Sequence, residues 1–253
     1  MRPLFGEEGL RSLRAFAARS PLCLFDFDGT LAPLTSDPTQ VMLPPTVQTR
    51  LQALQGRTEV GIVTGRSLQD IQLRLAFRPD YLVGNHGLEG VPGSLDLDAA
   101  LVSVCAVWKR SLEARVTAID DAIWLEDKGY SLSLHYRHVR DPARAAAQLS
   151  SLLVELDPAP RVICGKFIFN LLPGDSGDKG LAVQSLMRYA GNDTAIYVGD
   201  DATDEDVFKL RAPGILSARV GSAAHSEADW FIDDHHAMEP LLDLLLSWLP
   251  EPI

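Results

Sequence analysis

The residues best suited to chemistry lie in the stretch Leu22-Cys23-Leu24-Phe25-Asp26-Phe27-Asp28-Gly29-Thr30. There an apolar run ends on a carboxylate and a second carboxylate follows just beyond it. Two carboxylates about 4 Å apart repel by roughly 4 kcal/mol at an effective dielectric near 20. A bound divalent cation, or retention of one proton, relieves that repulsion. Both remedies suit phosphoryl transfer, with Asp26 attacking phosphorus and Asp28 moving protons. The plainer alternative is a strand that ends in a solvated acidic turn. The pair by itself does not decide between them.

Three further features could join them, two at strand ends of the same form and one at a helix start. Thr64 follows the apolar run Val60-Gly61-Ile62-Val63, and Asp200-Asp201 follow Ala195-Ile196-Tyr197-Val198-Gly199. Lys179 opens a helical segment after Gly177-Asp178. Each has an ordinary explanation in turn formation or solvation. Asp206 is assigned to one of these, since acidic residues favour the first turn of a helix.

The elements that must position these groups follow from periodicity. Short apolar runs at 22–25, 60–63, 81–83, 195–198, 215–220 and 230–232 read as buried strands. Helical spacing marks 7–18, 45–54, 68–76 and 179–189, with Thr203 expected to cap a further helix and 238–248 closing the chain. Alternating strand and helix imply a parallel sheet with right-handed crossovers, whose catalytic groups gather at the strands' carboxyl ends. The rhythm changes in the middle. A helix over 95–115 carrying Leu97, Leu101, Val104, Val107, Trp108 and Leu112, strands at 122–126 and 130–136, a helix from Pro142 to about 156, and strands at 161–164 and 167–171 imply an antiparallel sheet with helices on one face. The fold class is therefore α/β, a Rossmann-like core with an inserted α+β domain. The boundaries are expected at 1–92 and 173–253 for the core and 93–172 for the insert.

Composition bounds the function. The 253 residues are 46% hydrophobic and 23% charged, with a net charge of −11. That charge disfavours nucleic acid and anionic membranes as partners. No apolar run approaches a membrane span, and residues 1–20 lack the apolar stretch of a secretory signal. Cys23, Cys105 and Cys164 form no paired pattern and read as buried reduced thiols. A cytoplasmic monomer is expected.

In chain order, DxDGT (26–30), TGRS (64–67), GDKG (177–180) and GDDxTDED (199–206) resemble the motifs of the haloacid dehalogenase (HAD) superfamily of aspartate-nucleophile phosphohydrolases. The insert resembles the superfamily's α/β cap. Within that superfamily, Gly84-Asn85-His86-Gly87-Leu88-Glu89, the cap stretch 124–137 with its Glu126-Asp127-Lys128 and His135-Tyr136-Arg137, and Gly165-Lys166 resemble the trehalose-6-phosphate phosphatases.

The resemblance implies Mg²⁺ held by Asp26, the Asp28 backbone carbonyl and Asp200, with Asp204 and Asp201 orienting from behind. Thr64 and Lys179 would bind the phosphoryl oxygens, and Asp28 would be kept protonated by its acidic neighbours. Glu126, Lys128, Arg137 and Lys166 would bind the sugar, with Asn85 and His86 also at the substrate. Arg66 would contact the phosphate or simply pair with Asp70. Asn170 stands where the family usually has Glu, and Leu172 where a cation is common. The implied substrate is a sugar phosphate, trehalose 6-phosphate. Sucrose-phosphate and mannosyl-3-phosphoglycerate phosphatases, a phosphomannomutase-like isomerase and a phosphate-binding pseudoenzyme are the competing readings.

Overall fold

The computed structural model describes residues 1–253 except 36, 94–98, 175–176 and 252–253. It divides into two compact units, one made of Met1–Gly93 with Asp178–Ile253 and the other of Ser94–Gly177.

The first unit is built on a parallel sheet. Its strands are β1 (Arg2–Pro3), β2 (Leu22–Phe25), β3 (Val60–Val63), β4 (Tyr81–Val83), β9 (Ala195–Gly199), β10 (Ile215–Val220) and β11 (Trp230–Ile232), in the order β1-β11-β10-β9-β2-β3-β4. The chain runs from β2 to β3 on one side and later fills β9 on the other. The carboxyl end of β2 is thus the point where strand order reverses, the usual place for a site in such sheets. Alternate residues of each strand point to opposite faces. Cys23, Phe25, Ile196 and Val198 join one apolar cluster with α1 (Glu7–Ala17), α2 (Pro45–Gln55) and α8 (Met238–Trp248). Leu22, Leu24, Ala195 and Tyr197 join the other, against α6 (Lys179–Ala190) and α7 (Glu205–Phe208). The expected parallel core is present, with β1 as an additional short edge strand.

The second unit carries an antiparallel sheet in the order β5-β6-β8-β7, from β5 (Trp124–Asp127), β6 (Leu132–His135), β7 (Pro160–Gly165) and β8 (Ile168–Pro173). Helices α4 (Ala99–Ile119) and α5 (Pro142–Leu153) bury Trp108, Leu112, Val116, Ala145 and Leu149 with Leu132, Leu134, Phe169 and Leu171. The face of the sheet opposite these apolar residues carries Trp124, Glu126, Ser133, His135 and Asn170, as the strand register requires.

Several expectations need correction. Residues 95–98 of the expected helix, Leu97 included, lie outside the described residues, and the helix runs on to Ile119. Its core stripe is Cys105, Trp108, Leu112 and Val116, which turns Val107 outward. Cys164 is exposed because β7 is an edge strand, whereas Cys23 and Cys105 are buried. Thr203 does not cap a helix. Its N–H and hydroxyl both donate to Asp201 Oδ1 at 2.7 Å, and α7 begins only at Glu205.

Candidate active site

Four loops of the first unit form the site, each leaving the carboxyl end of a parallel strand. Asp26 directly follows β2, and its N–H donates to Val198 O of β9 at 2.8 Å. Thr64 follows β3 and is fully buried. Asn85 and His86 follow β4, and Asp200 follows β9. Lys179 enters from the first turn of α6, whose N-cap Asp178 accepts from Leu181 N.

Lys179 Nζ donates to Asp26 Oδ1 at 2.7 Å and to Asp204 Oδ1 at 2.8 Å, and all three side chains are buried. Burial works against the ammonium, but Asp204 and Asp26 raise its pKa well above the ordinary lysine value. Lys179 therefore stays charged. Asp26 is raised by burial, against the pull of Lys179 and with the help of Asp204, Asp200 and Asp201. Burial, with Asp204 and Asp201 adding to it, pushes Asp200 up to about 8. One carboxylate oxygen from each of Asp26, Asp200 and Asp204 lies within 4.8 Å of the others. A set of oxygen donors, two buried and one part-buried, that crowd one another's charge is what a hard divalent cation relieves, so the residues present fit such an ion.

The Asp204 carboxylate is already committed within the protein. Its Oδ1 accepts from Lys179 and from Tyr197 Oη at 2.6 Å. Its Oδ2 accepts the backbone N–H groups of Asp200 at 2.8 Å and Asp201 at 2.9 Å. Asp204 thus holds both Lys179 and the loop that carries Asp200. Thr30 Oγ1 reaches Asp200 Oδ1 at 3.4 Å. Gly29 lies under the same carboxylate at φ +85, where an added Cβ would stand 2.2 Å from Asp200 Oδ2. Only glycine fits that conformation and that approach.

Asn85 and His86 adopt φ of 47 and 56, two successive left-handed residues that are not glycine. Such strain persists only where surroundings hold it. Here Asn85 N donates to Arg66 O and His86 N to Thr64 O, tying the β4 loop to the β3 loop. The His86 ring lies against Gly65, where a Cβ would meet it at 2.3 Å.

Arg66 and Asp28 occupy a different arrangement from the expected one. Arg66 Nε and Nη2 donate to the two oxygens of Asp28, each at 2.6 Å, while Nη1 reaches Asp70 at 2.7 Å. Asp28 therefore faces a guanidinium, a partner that the expected arrangement left out. Both anticipated roles of Arg66 leave this pair out, although its contact with Asp70 is as anticipated.

The other candidate residues lie in the second unit. His135 Nε2 and Glu126 Oε2 are 2.9 Å apart, and Lys128 Nζ is 3.9 Å from the same oxygen. The His135 ring stacks on Trp124, with centroids 4.5 Å apart. Ser133 Oγ donates to Asn170 Oδ1 at 2.6 Å, both side chains being buried. Arg137 lies over the Phe167 ring beside the exposed Lys166. Leu172 is buried. Sequence reasoning missed Tyr197, which sits in an apolar strand. A Tyr in a fully buried strand needs a partner for its hydroxyl, and that requirement was the available signal.

Known proteins share this architecture. The family model described as Trehalose-phosphatase matches residues 24–235. The trehalose-phosphate phosphatase of Mycobacterium tuberculosis is 30% identical over 206 residues, covering 78% of this chain and 52% of that protein. Trehalose-phosphate phosphatase B of Arabidopsis thaliana is 24% identical over 262 residues, covering 93% of this chain and 69% of that protein. The solved C-terminal domain of the C. albicans trehalose-6-phosphate phosphatase superposes with a TM-score of 0.80 at 22% identity, covering 99% of this chain and 100% of that chain. That likeness concerns the fold. The chain spans about half the length of the mycobacterial relative it matches.

Proposed function

The chain belongs to the trehalose-phosphatase family, and on that premise we propose that it is a Mg²⁺-dependent phosphatase that hydrolyses trehalose 6-phosphate to trehalose and phosphate. The observation that carries the chemistry is Asp26 at the end of β2, with Lys179 on its Oδ1 and Asp200 beside it. Asp26 and Asp200 would hold Mg²⁺ directly, and Asp204, its oxygens already engaged, would hold Lys179 and the Asp200 loop. When bound there, the cation would neutralise charge on the phosphoryl oxygens and keep both carboxylates ionised.

The remaining steps belong to the protein's own residues. The free oxygen of Asp26 attacks phosphorus in line, the bond from phosphorus to the sugar oxygen breaks, and Asp28 gives that oxygen a proton. An aspartyl-phosphate results. Water then attacks this phosphorus, Asp28 takes the proton, and inorganic phosphate leaves with Asp26 restored. Lys179 and Thr64 bind the phosphoryl oxygens and offset the charge that grows on them. Glu126, Lys128, Arg137 and Lys166 are assigned to the sugar hydroxyls, with Asn170 alongside them. The strained pair Asn85 and His86 is assigned to the substrate from the first unit.

Asn170 favours a second reading. Its carbonyl already accepts from Ser133 Oγ, and it adds an uncharged amide donor where a carboxylate acceptor is usual in the family. A different sugar phosphate would suit that change. Phosphate release in Mg²⁺ from trehalose 6-phosphate, sucrose 6-phosphate, glucose 6-phosphate and mannosyl-3-phosphoglycerate decides between the two. A clear preference for the first supports the proposal. A preference for another sugar keeps the aspartate chemistry and moves the substrate.

A further inference from the structure

We propose that Arg66 is a positioning residue that acts through Asp28, setting the direction of the proton donor rather than gripping the phosphate or the sugar. This rests on the reading of Asp28 as acid and base given above. The guanidinium is itself fixed before any substrate arrives. Its four hydrogen bonds go to both oxygens of Asp28, to Asp70 and to Pro38 O at 2.9 Å, and it lies 5.6 Å from the Phe27 ring centre. Asp70 is held in turn by Arg74 through two bonds of 2.7 and 2.5 Å. Arg74 donates onward to Thr39 O at 2.8 Å and Val41 O at 2.9 Å. The run Asp28-Arg66-Asp70-Arg74 is therefore a largely buried chain of alternating charge, anchored in the backbone that follows the nucleophile loop.

Two physical points turn this chain into a role. A guanidinium has five N–H donors in a planar fork, and four hydrogen bonds leave too few to hold a phosphoryl group with a second fork. A planar guanidinium that meets both oxygens of one carboxylate fixes that group's plane and direction. As the acid of the reading above, Asp28 would turn one oxygen to the leaving group while the other keeps its bond to Arg66. The bond kept by the other oxygen then fixes where the proton points. Loss of Arg66 would leave the carboxyl group free to turn, and well-aimed proton transfer commonly contributes about 10²–10⁴-fold in rate.

The test compares two leaving groups in a double-mutant cycle. The sugar alkoxide needs a proton as it departs, whereas the phenolate of p-nitrophenyl phosphate does not. Wild type, Arg66→Ala, Asp28→Asn and the double variant are assayed in Mg²⁺ for kcat/KM on both esters. Arg66→Ala is expected to lower kcat/KM at least tenfold on the sugar phosphate and less than threefold on the aryl phosphate. In the Asp28→Asn background the same change should cost less than twofold. Arg66→Lys, a point charge without a fork, should recover only part of the loss and guards against a variant that misfolds.

Equal losses on both esters, a raised KM with unchanged kcat, or full additivity in the Asp28→Asn background would overturn the proposal in favour of phosphate binding or a purely structural role. If wild type cleaves the aryl ester and a sugar phosphate other than trehalose 6-phosphate, the substrate assignment fails alone. The cycle is then read on that sugar.

Discussion

Tyr197 donates its hydroxyl to Asp204 at 2.6 Å, on the same carboxylate oxygen that Lys179 reaches from the other element. A core aromatic thereby fixes a charged group of the site. Replacing it by Phe removes the bond and little volume. Tyr197→Phe should cost about 1.5–3 kcal/mol of stability, the range for a hydrogen bond to a charged group. Lys179 and two backbone N–H groups still hold Asp204, so phosphate release should fall by less than tenfold. Urea unfolding beside a phosphate assay checks both; a hundredfold loss of rate would mean that Tyr197 does more than support Asp204.

Lys179→Met and Asp26→Asn should separate stability from chemistry. The first leaves Asp26 and Asp204 buried without their cation, which typically costs about 3–5 kcal/mol. It should also abolish phosphate release. The second removes a crowded negative charge while Lys179 keeps Asp204. Asp26→Asn is expected to melt at or above the wild-type temperature with no turnover. Residual activity in purified Asp26→Asn would remove it as the nucleophile.

The acidic cluster sets a pH dependence for the metal-free protein. Asp200 is pushed from an ordinary value of 3.8 to about 8 in the folded state, so the folded form holds a proton that the unfolded form has lost between those values. Its contribution to stability is complete below about 4 and is lost as pH rises towards 8. In chelator, the melting temperature should therefore decline over this interval. Added Mg²⁺ should raise it most at the alkaline end, where the carboxylates are ionised and free to bind. A Mg²⁺ effect that is largest near pH 5 would contradict this account.

Gly29→Ala should act on the cation through Asp200. The new methyl carbon meets the Asp200 carboxylate in a left-handed backbone, so either the turn or the carboxylate must move. The Mg²⁺ concentration for half-maximal stabilisation should rise at least tenfold, and calorimetric titration with Mg²⁺ reads this without any turnover. An unchanged Mg²⁺ affinity would place the ion away from Asp200.

Much of the core was legible because its strands end abruptly. Phe25 to Asp26, Val63 to Thr64 and Gly199 to Asp200 are each a step from apolar to polar at a strand end, and each is where the site is built. Partnerships across the fold were not legible in this way. The bond from Arg66 to Asp28 joins residues 38 positions apart, and nothing in local periodicity links them. Arg2–Pro3 is too short and polar to show a strand pattern, and it is a strand because β11 offers it an edge. The exposure of Cys164 likewise depends on which strand lies outermost. For Val107, a helical face drawn from apolar content alone was one residue too wide, since the bulk of Trp108 and Leu112 decides which stripe turns inward.

The pairing of β2 with β9 orders the events of synthesis. Leu22 to Phe25 leave the ribosome well before Ala195–Gly199, the strand that flanks them on one side. Closing a contact over so long a span is entropically slow, whereas neighbouring segments meet quickly. The strands and helices of Ser94–Gly177 are contiguous in the chain and have their own apolar centre, so they can pack while the first sheet still lacks β9, β10 and β11. Asp26 and Asp200 come together only once Ala195–Gly199 has been made. The nascent chain can therefore assemble its inserted unit before it has a nucleophile with a place to work.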